Sequence, residues 1–197
     1  LQQIVVAVDR TARLVRQLLA MANLDTRHAA ETDARINVGF AIDEIVETLP
    51  GRDRIEVEID PALDETILTA NAELLVLALR NLHENAIYHT ARPGVVRWSV
   101  ECRAEAIVIA VEDEGPGIPH EELPLVTRRF FRGRHKSPTG SGLGLAIVEL
   151  ALLANGARLN LVNRSDRDGL RAEIIWPLPA RKPLADIQRS AAGAALH

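Results

Sequence analysis

The amino-acid sequence predicts an α/β fold: a two-layer α/β sandwich in which a mixed β-sheet carries its helices on one face, preceded by one helix of a helical bundle. Segments that alternate apolar and polar residues, such as 55–59, indicate half-buried strands. Longer segments with apolar residues every three or four positions, such as 71–89 and 142–155, indicate helices that pack on a sheet. Residues 1–25 instead show the repeat that is typical of a bundle.

The opening segment predicts a helix that cannot be stable alone. Its apolar positions follow in alternating steps of four and three residues, as in a coiled coil. Such a helix needs a partner to cover its stripe, from preceding sequence or from another chain. An ordinary amphipathic helix that packs on its own domain remains the alternative. The repeat consists of Ile4, Val8, Thr11, Val15, Leu18 and Ala22.

The other elements follow in a regular order. Asn71 can cap a helix that runs to about His89, and Pro50-Gly51 ends the helix before it. Residues 113–141 combine glycines, prolines and charges with little periodicity, which is typical of a functional or disordered loop. We therefore expect strands over 35–38, 55–59, 66–69, 95–103, 106–112, 158–163 and 170–176, and helices over 39–49, 72–89 and 142–155.

These elements divide the chain into three expected parts. Residues 1–30 hold the bundle helix, and residues 31–179 form the main domain. Residues 180–197 are rich in alanine and are expected to be disordered. The chain begins inside a helical pattern, so we interpret it as a piece of a longer protein.

Composition excludes several classes of function. The 197 residues carry 27 acidic and 23 basic side chains, and a net charge of -4 lacks the basic surface that nucleic acid requires. The single cysteine, Cys102, cannot form an internal disulfide, and we expect it to be buried and inert. No long apolar segment is present, so any membrane attachment would come from upstream sequence.

A first group of polar residues lies on the helix that follows Asn71. Asn81 and Asn85 are four residues apart, so their carboxamides share one helix face. Carboxamide oxygens are hard neutral ligands that suit Mg²⁺, and Glu84 lies next to them. A solvated polar face is the simpler interpretation of this pair taken alone.

A second group follows an apolar strand. Asp113 stands at the end of that strand, where a carboxylate can accept a hydrogen bond from the amino group of adenine. Gly115 and Gly117 allow the backbone to approach a flat ligand closely. An ordinary tight turn is the alternative, because aspartate and glycine are common turn residues.

A third group precedes the last helix. Glycines 140 and 142 lead into it, and glycines at a helix start leave amides that point at an anion. This pattern indicates a phosphate site, although the lysine of a Walker sequence is absent. A flexible loop capped by glycine is less favoured, because Leu143 and Leu145 begin the apolar helix at once.

Between these groups lies a basic segment with two phenylalanines. We expect Phe130 and Phe131 to anchor the loop on the domain. Arg129 and Arg132, more than Arg134, could reach a terminal phosphate and stabilise its transfer. A solvated basic loop is the alternative for each arginine taken singly.

Taken together and in this order, the four groups resemble the catalytic domain of bacterial sensor histidine kinases, in the gyrase, chaperone, histidine kinase and mismatch-repair ATPase superfamily. The resemblance covers about residues 36–177 and implies a Bergerat-type ATP-binding fold. Residues 1–25 look like the second helix of the dimerisation and phosphoacceptor domain. The matching sequences are NLHENAIYHT for the N box, DEGPGIP and GSGLGLAIV for the two glycine boxes, and RRFFRG for the F box.

The resemblance implies roles for individual residues. It makes ATP and Mg²⁺ the cofactors, with Mg²⁺ on Asn85 and Asn81 beside it. Residues 118–139 would be a mobile ATP lid, and Glu84, Arg129 and Arg132 would assist transfer. Adenine would be recognised by Asp113, Gly115, Gly117 and Ile118, and the phosphates by Gly140, Gly142, Leu143 and Gly144.

The resemblance also implies partners and a location. In relatives the γ-phosphate passes to a histidine on the dimerisation helices, and then to an aspartate of a response regulator receiver domain. The parent protein would be a homodimer anchored in the bacterial inner membrane, with this portion in the cytoplasm.

Three departures from the family pattern bear on function. Tyr88 occupies a position that usually holds a basic residue in contact with phosphate, and Arg128 replaces a frequent acid. No histidine has the sequence context of a phosphoacceptor, and His83-Glu84 lies inside the N box. We therefore expect that this piece cannot phosphorylate itself.

Two other functions remain open. Hydrolases of the superfamily carry a catalytic glutamate where this chain has Asn81, which argues against a gyrase-like or chaperone-like ATPase. A catalytically weak nucleotide-binding regulatory module is the other alternative, and Tyr88 is its support.

Overall fold

The structure is a computed structural model that describes residues 33–49, 54–91, 93–133 and 141–178. The helix expected over residues 1–30 and the tail expected over 180–197 lie outside the described residues, as does Gly140. The helices are α1 (Val38–Thr48), α2 (Ala72–His89) and α3 (Gly144–Ala154). The strands are β1 (Ala34–Asn37), β2 (Ile55–Ile59), β3 (Ile67–Ala70), β4 (Gly94–Cys102), β5 (Ala106–Glu112), β6 (Arg158–Asn163) and β7 (Leu170–Pro177).

The main sheet has five strands in the order β2-β4-β5-β7-β6. Strand β2 runs parallel to β4, and the other neighbours are antiparallel, so the predicted mixed sheet is confirmed. Element boundaries agree with the sequence prediction to within two residues.

Two strands do not join this sheet. Strands β1 and β3 pair with each other as a separate antiparallel sheet. The single sheet expected from the sequence is therefore wrong in this detail. A short 3-10 helix over Pro61–Glu65, capped by the Asp60 side chain, lies between β2 and β3 in the chain. It leads β3 to the start of α1, where the Val38 amide donates to the Thr66 carbonyl at 2.9 Å.

The core lies between one face of the sheet and the helices. Trp98 is fully buried on this face, and alternate residues of the neighbouring strands join it against the helices, as period-two alternation requires. Helix α2 packs against both α1 and α3. The buried side chains of this layer include Leu75, Leu79, Leu82, Ile109, Val111, Val148, Leu152, Ala172 and Ile174.

The opposite face of the sheet carries paired charges. Arg171 bonds to Glu112 at 2.6 Å and to Glu173 at 2.9 Å, and Asn160 donates to the same Glu173 at 2.7 Å. These side chains link β5, β6 and β7 across their outer surface. The charged side chains of this face are therefore paired at these positions.

Cys102 is exposed, so its expected burial is wrong. It is the last residue of β4, beside the turn into β5, where the strand ends in two exposed residues. Among the described residues, none of the helices combines the length and apolar character that a membrane crossing needs.

Candidate functional site

The asparagine pair lies on the inner side of α2. The Asn71 side chain caps this helix by accepting from the Leu74 amide at 3.1 Å. Asn81 is only 6% exposed, and its Nδ2 donates to the Leu77 carbonyl at 2.8 Å. A solvated face therefore does not describe Asn81, whereas Asn85 and Glu84 are half-buried.

The beginning of α3 faces this pair. A Cβ atom at Gly144 would lie 3.5 Å from Asn81 Oδ1 and 3.5 Å from both polar atoms of the Asn85 carboxamide. The structure thus brings the asparagine pair together with Gly144, which lies about sixty residues further along the chain.

The start of α3 carries one side-chain hydrogen bond, in which the Leu143 amide donates to Ser141 Oγ at 3.2 Å. Its N-cap residue, Leu143, is fully buried and makes no capping hydrogen bond with its side chain. Gly142 has a φ of 71°, in the left-handed region that favours glycine. A side chain at Gly142 would also meet the Phe131 carbonyl oxygen at 2.7 Å. Backbone amides at this helix start can bind an anion.

Asp113 is buried at the end of β5. Its Oδ1 accepts from the Gly115 amide at 2.8 Å and from the Leu170 amide at 3.2 Å. Burial raises the pKa of this carboxyl, and the two amide hydrogen bonds, His89 and Arg164 oppose that rise. Both hydrogen bonds use Oδ1, so the second oxygen can accept from a ligand amino group.

The glycines after Asp113 are tightly enclosed. A side chain at Gly115 would meet the His89 carbonyl oxygen at 2.8 Å, and Gly117 has a φ of 68°. The buried Thr90 hydroxyl also accepts from the Glu114 amide at 3.5 Å. The loop therefore packs on the carboxyl end of α2.

Helix α2 connects the two halves of the site. His89 follows Asn85 by one helical turn, which is about 6 Å along the axis. The asparagine face thus contacts the start of α3, while the end of the same helix contacts the loop after Asp113. Asn81, Asn85, Gly144 and Gly115 thus lie along the C-terminal half of α2, while Gly117 and Ile118 contact the β6–β7 hairpin.

The loop 119–133 is folded as a series of turns. Phe130 is 65% exposed, so the expectation that its ring anchors the loop is wrong. The backbone provides the attachment instead: the Phe130 amide donates to the Gly142 carbonyl at 2.8 Å, with a φ of 65° at Phe130. Arg129 and Arg132 have exposed side chains on this loop.

His83 has a structural environment. It is buried against Trp98, whose Nε1 donates to His83 Nδ1 at 3.2 Å. Burial, helped by the nearby Arg80, lowers the pKa of His83 to about 4. An imidazole enclosed in this way cannot accept a phosphoryl group from outside, which agrees with the sequence interpretation.

Sequence reasoning missed the end of the β6–β7 hairpin. The Asn163 carboxamide makes two hydrogen bonds with the Ile118 backbone, and Gly169 lies directly against the Asp113 carbonyl. The signal available in the sequence was an asparagine and a glycine on either side of a polar turn, which is common in any hairpin.

Comparison with known proteins identifies the family. The family described as "Histidine kinase-, DNA gyrase B-, and HSP90-like ATPase" matches residues 70–180. Sensor protein QseC of Salmonella typhimurium is 32% identical over 179 residues, which are 89% of this chain and 39% of that protein. Sensor protein kinase PmrB of Pseudomonas aeruginosa is 31% identical over 180 residues, 90% of this chain and 38% of that protein. The chain thus spans about two fifths of the length of these relatives.

Solved structures agree with this assignment. The mycobacterial sensor histidine kinase MprB superposes with a TM-score of 0.62 at 28% identity, covering 74% of this chain and 97% of that one. The cytoplasmic segment of histidine kinase QseC has a TM-score of 0.57 at 24% identity, covering 86% and 93%, and supports the fold alone. The chain belongs to the family of histidine kinase-, DNA gyrase B- and HSP90-like ATPases, and it carries an ATP-binding domain similar to that of sensor histidine kinases.

Proposed function

We propose that this chain is the catalytic portion of a sensor histidine kinase, which transfers the γ-phosphate of ATP to a histidine on the dimerisation helices of its parent protein. One observation carries the proposal: two carboxamides, a glycine-rich helix start without an N-cap side chain and the loop of a buried acid all lie along the C-terminal half of α2. Nothing in a purely structural helix contact requires that combination.

The buried acid supports recognition of adenine. Asp113 is held by two backbone amides through one oxygen, which leaves Oδ2 to accept from the exocyclic amino group. Gly115, Gly117 and Ile118 line the adjoining loop, where a side chain at either glycine would lack room. A guanine would present a carbonyl oxygen to this carboxylate, so we expect discrimination against GTP.

The start of α3 supports phosphate binding. The first-turn amides, which the N-cap side chain does not cap, and the helix dipole attract negative charge. Gly142, Leu143 and Gly144 lie at this helix start, where the Leu143 amide is held by Ser141 Oγ. Gly140 belongs to the same proposed cradle but lies outside the described residues.

The donor set fits Mg²⁺. No cluster of three or more His, Cys, Asp or Glu side chains suited to a metal occurs among the described residues. A hard cation here would therefore depend on carboxamide oxygens, water and nucleotide phosphates, which is a combination that Mg²⁺ accepts. Asn85 would hold the ion with Asn81 beside it, and the ion would neutralise charge on the phosphates.

The remaining residues favour transfer over hydrolysis. Asn81 cannot act as a general base, and its amide nitrogen is bonded to Leu77. The exposed Arg129 and Arg132 on the loop could stabilise charge on the transferred group, with Glu84 beside the asparagine face. The nucleophile would be an imidazole of the dimerisation helices, and a response regulator receiver domain would take the group next.

We place this domain on the cytoplasmic side of a homodimeric parent anchored in the bacterial inner membrane. A regulatory module that binds nucleotide without catalysis is the second candidate. Tyr88, 47% exposed where relatives usually carry a basic residue, favours it.

A transfer assay separates the two candidates. The chain is mixed with a separately produced phosphoacceptor domain of the same parent and γ-labelled ATP, with and without Mg²⁺. We expect acid-labile label on the acceptor, and none when its histidine is replaced by alanine. Nucleotide binding without any transfer would contradict the kinase proposal and favour the regulatory module.

A further inference from the structure

The last pair of residues in the β6–β7 hairpin lies beside the proposed nucleotide loop. Asn163 and Leu170 are direct partners in the antiparallel register, and the Arg164 amide closes the next turn by donating to the Gly169 carbonyl at 3.0 Å. Both members of this pair bind the loop that follows β5, but they bind it at different points.

Leu170 holds the acid. The Asp113 amide donates to the Leu170 carbonyl at 3.0 Å, and the Leu170 amide donates back to Asp113 Oδ1 at 3.2 Å. These bonds use the Leu170 backbone, so they depend little on its side chain.

Asn163 holds the other end of the loop through its side chain. The Ile118 amide donates to Asn163 Oδ1 at 2.7 Å, and Asn163 Nδ2 donates to the Ile118 carbonyl at 2.6 Å. A carboxamide has one donor side and one acceptor side, so it pairs with a peptide unit as a neighbouring strand would. Aspartate lacks the donor, and serine offers a single atom.

The contact is close as well as polar. A Cβ at Gly117 would lie 2.7 Å from Asn163 Oδ1, so the carboxamide occupies the space beside this glycine. Asn163 is half-buried, and its two bonds span 45 residues of sequence. A surface asparagine with no role in the loop would have no reason to be aligned with both polar groups of one residue.

We propose that Asn163 is a positioning residue for the nucleotide: by clamping Ile118 to the strand pair that also holds Asp113, it fixes the width of the loop that receives adenine. The inference rests on the proposed binding of ATP at this loop. Asn163 need not touch the nucleotide, because it acts through the Ile118 backbone.

Asn160→Ala provides a matched control. Asn160 lies on the same strand, and its carboxamide donates to Glu173 at 2.7 Å on the outer face of the sheet, away from the loop. Both variants lose a half-buried carboxamide from β6, and only Asn163→Ala loses contact with Ile118. The hairpin keeps other attachments in both, including the Arg167–Glu114 ion pair at 3.1 Å.

The test measures ATP affinity by calorimetric titration with Mg²⁺, at a temperature where every variant is folded. Loss of two hydrogen bonds predicts an affinity about 10-fold weaker for Asn163→Ala, and a change below about 2-fold for Asn160→Ala. Hydrogen exchange at the Ile118 amide should rise in the first variant alone. Asn163→Asp, which has the same shape, should also bind more weakly because it opposes an oxygen to the Ile118 carbonyl.

The outcomes separate this inference from the proposed function. If the unsubstituted chain binds ATP and Asn163→Ala binds it equally well, only the positioning role is overturned. Equal losses in Asn163→Ala and Asn160→Ala would also overturn it, because a general loosening of β6 would then explain both. If the unsubstituted chain does not bind ATP, the proposed function and the inference fail together.

Discussion

Helices α2 and α3 begin in opposite ways. At the start of α2, the Asn71 side chain accepts from the Leu74 amide at 3.1 Å and so satisfies a first-turn donor. At the start of α3, Leu143 provides no side-chain cap, and the preceding Gly142 has a φ of 71°. Both helices are well packed in the same layer, so the difference does not reflect a poorly formed α3.

The difference indicates which helix start is available to a ligand. Every helix start has unsatisfied backbone amides and partial positive charge, and a capping side chain normally accepts hydrogen bonds from those amides. Helix α2 is capped by its own chain. Helix α3 presents its amides beside Asn81 and Asn85, which are contributed by α2. The start of α2, which Asn71 caps, is the closed helix start. The start of α3, which the asparagines of α2 flank, is the open helix start.

The largest expected effect comes from removing the carboxamide that faces the open helix start. Asn85→Ala should abolish the Mg²⁺-dependent part of ATP binding, a loss of at least about 100-fold, because it removes the proposed oxygen ligand. Titration with ATP in the presence and absence of Mg²⁺ measures it. Asn85→Asp, which keeps an oxygen at this position, should retain part of the dependence. Unchanged affinity in Asn85→Ala would remove the metal assignment.

The burial of His83 on α2 can be tested through the pH dependence of the free energy of unfolding, without changing either end of the helix. Burial, with Arg80 nearby, lowers the pKa of His83 from 6.5 to about 4. The unfolded chain therefore binds this proton more readily than the folded chain does. The stability that neutral His83 contributes is complete above pH 6.5 and is lost as the pH falls towards 4. The free energy of unfolding should drop by up to about 3 kcal/mol over that range from this group.

Denaturant unfolding at several pH values checks the His83 prediction. His83→Asn keeps an acceptor for the Trp98 indole without a titrating ring, so its stability should fall less across the same range. Identical pH profiles for the two chains would show that His83 is not the group responsible.

Filling the open helix start should affect binding and stability in opposite directions. A methyl group at Gly144 would lie 3.5 Å from the two carboxamides, which is ordinary contact, so Gly144→Ala should fold normally. Alanine also favours helix over glycine, which predicts a gain of up to about 1 kcal/mol in stability. The same methyl occupies space between the two carboxamides and the first-turn amides, where the phosphates are proposed to bind, so ATP affinity should fall by about 10-fold. Thermal unfolding and titration of the same variant provide both measurements.

Removing the cap of the closed helix start should lower stability and leave ATP affinity unchanged. Asn71→Ala leaves the Leu74 amide without its partner and should cost about 1 kcal/mol of stability. ATP affinity, measured while the chain is folded, should stay the same because this end of α2 lies away from the asparagine face. A large loss of affinity would mean that the two helix starts are not functionally distinct.

Local chemistry explains which features the sequence predicts well. The Asn71 cap, the 55–59 strand and the helix that follows Gly142 depend on residues a few positions apart, and the structure matches each of them. Nonlocal contacts were harder to foresee. The pairing of β1 with β3 joins Asn37 to Ile67, and the Asn163–Ile118 contact joins residues 45 positions apart.

Phe130 shows a different limit of prediction from the sequence. Its aromatic ring predicts burial, but the backbone approach of Gly142 fixes the loop and leaves the ring 65% exposed. Residue type indicates what a side chain prefers, and a main-chain attachment can override it. The same reasoning explains Cys102, where the end of a strand determines exposure.

The two attachments of the segment between β5 and α3 have an evolutionary consequence. Its beginning is tied to the β6–β7 hairpin through Asp113 and Ile118, and Phe130 is tied to Gly142 near its end. Insertions or deletions between these ties would leave the sheet register undisturbed, because the strand pairs that set the register lie outside this segment. Evolution can therefore vary the length of the part before Arg129, whose side chain is proposed to assist transfer, without displacing Asp113.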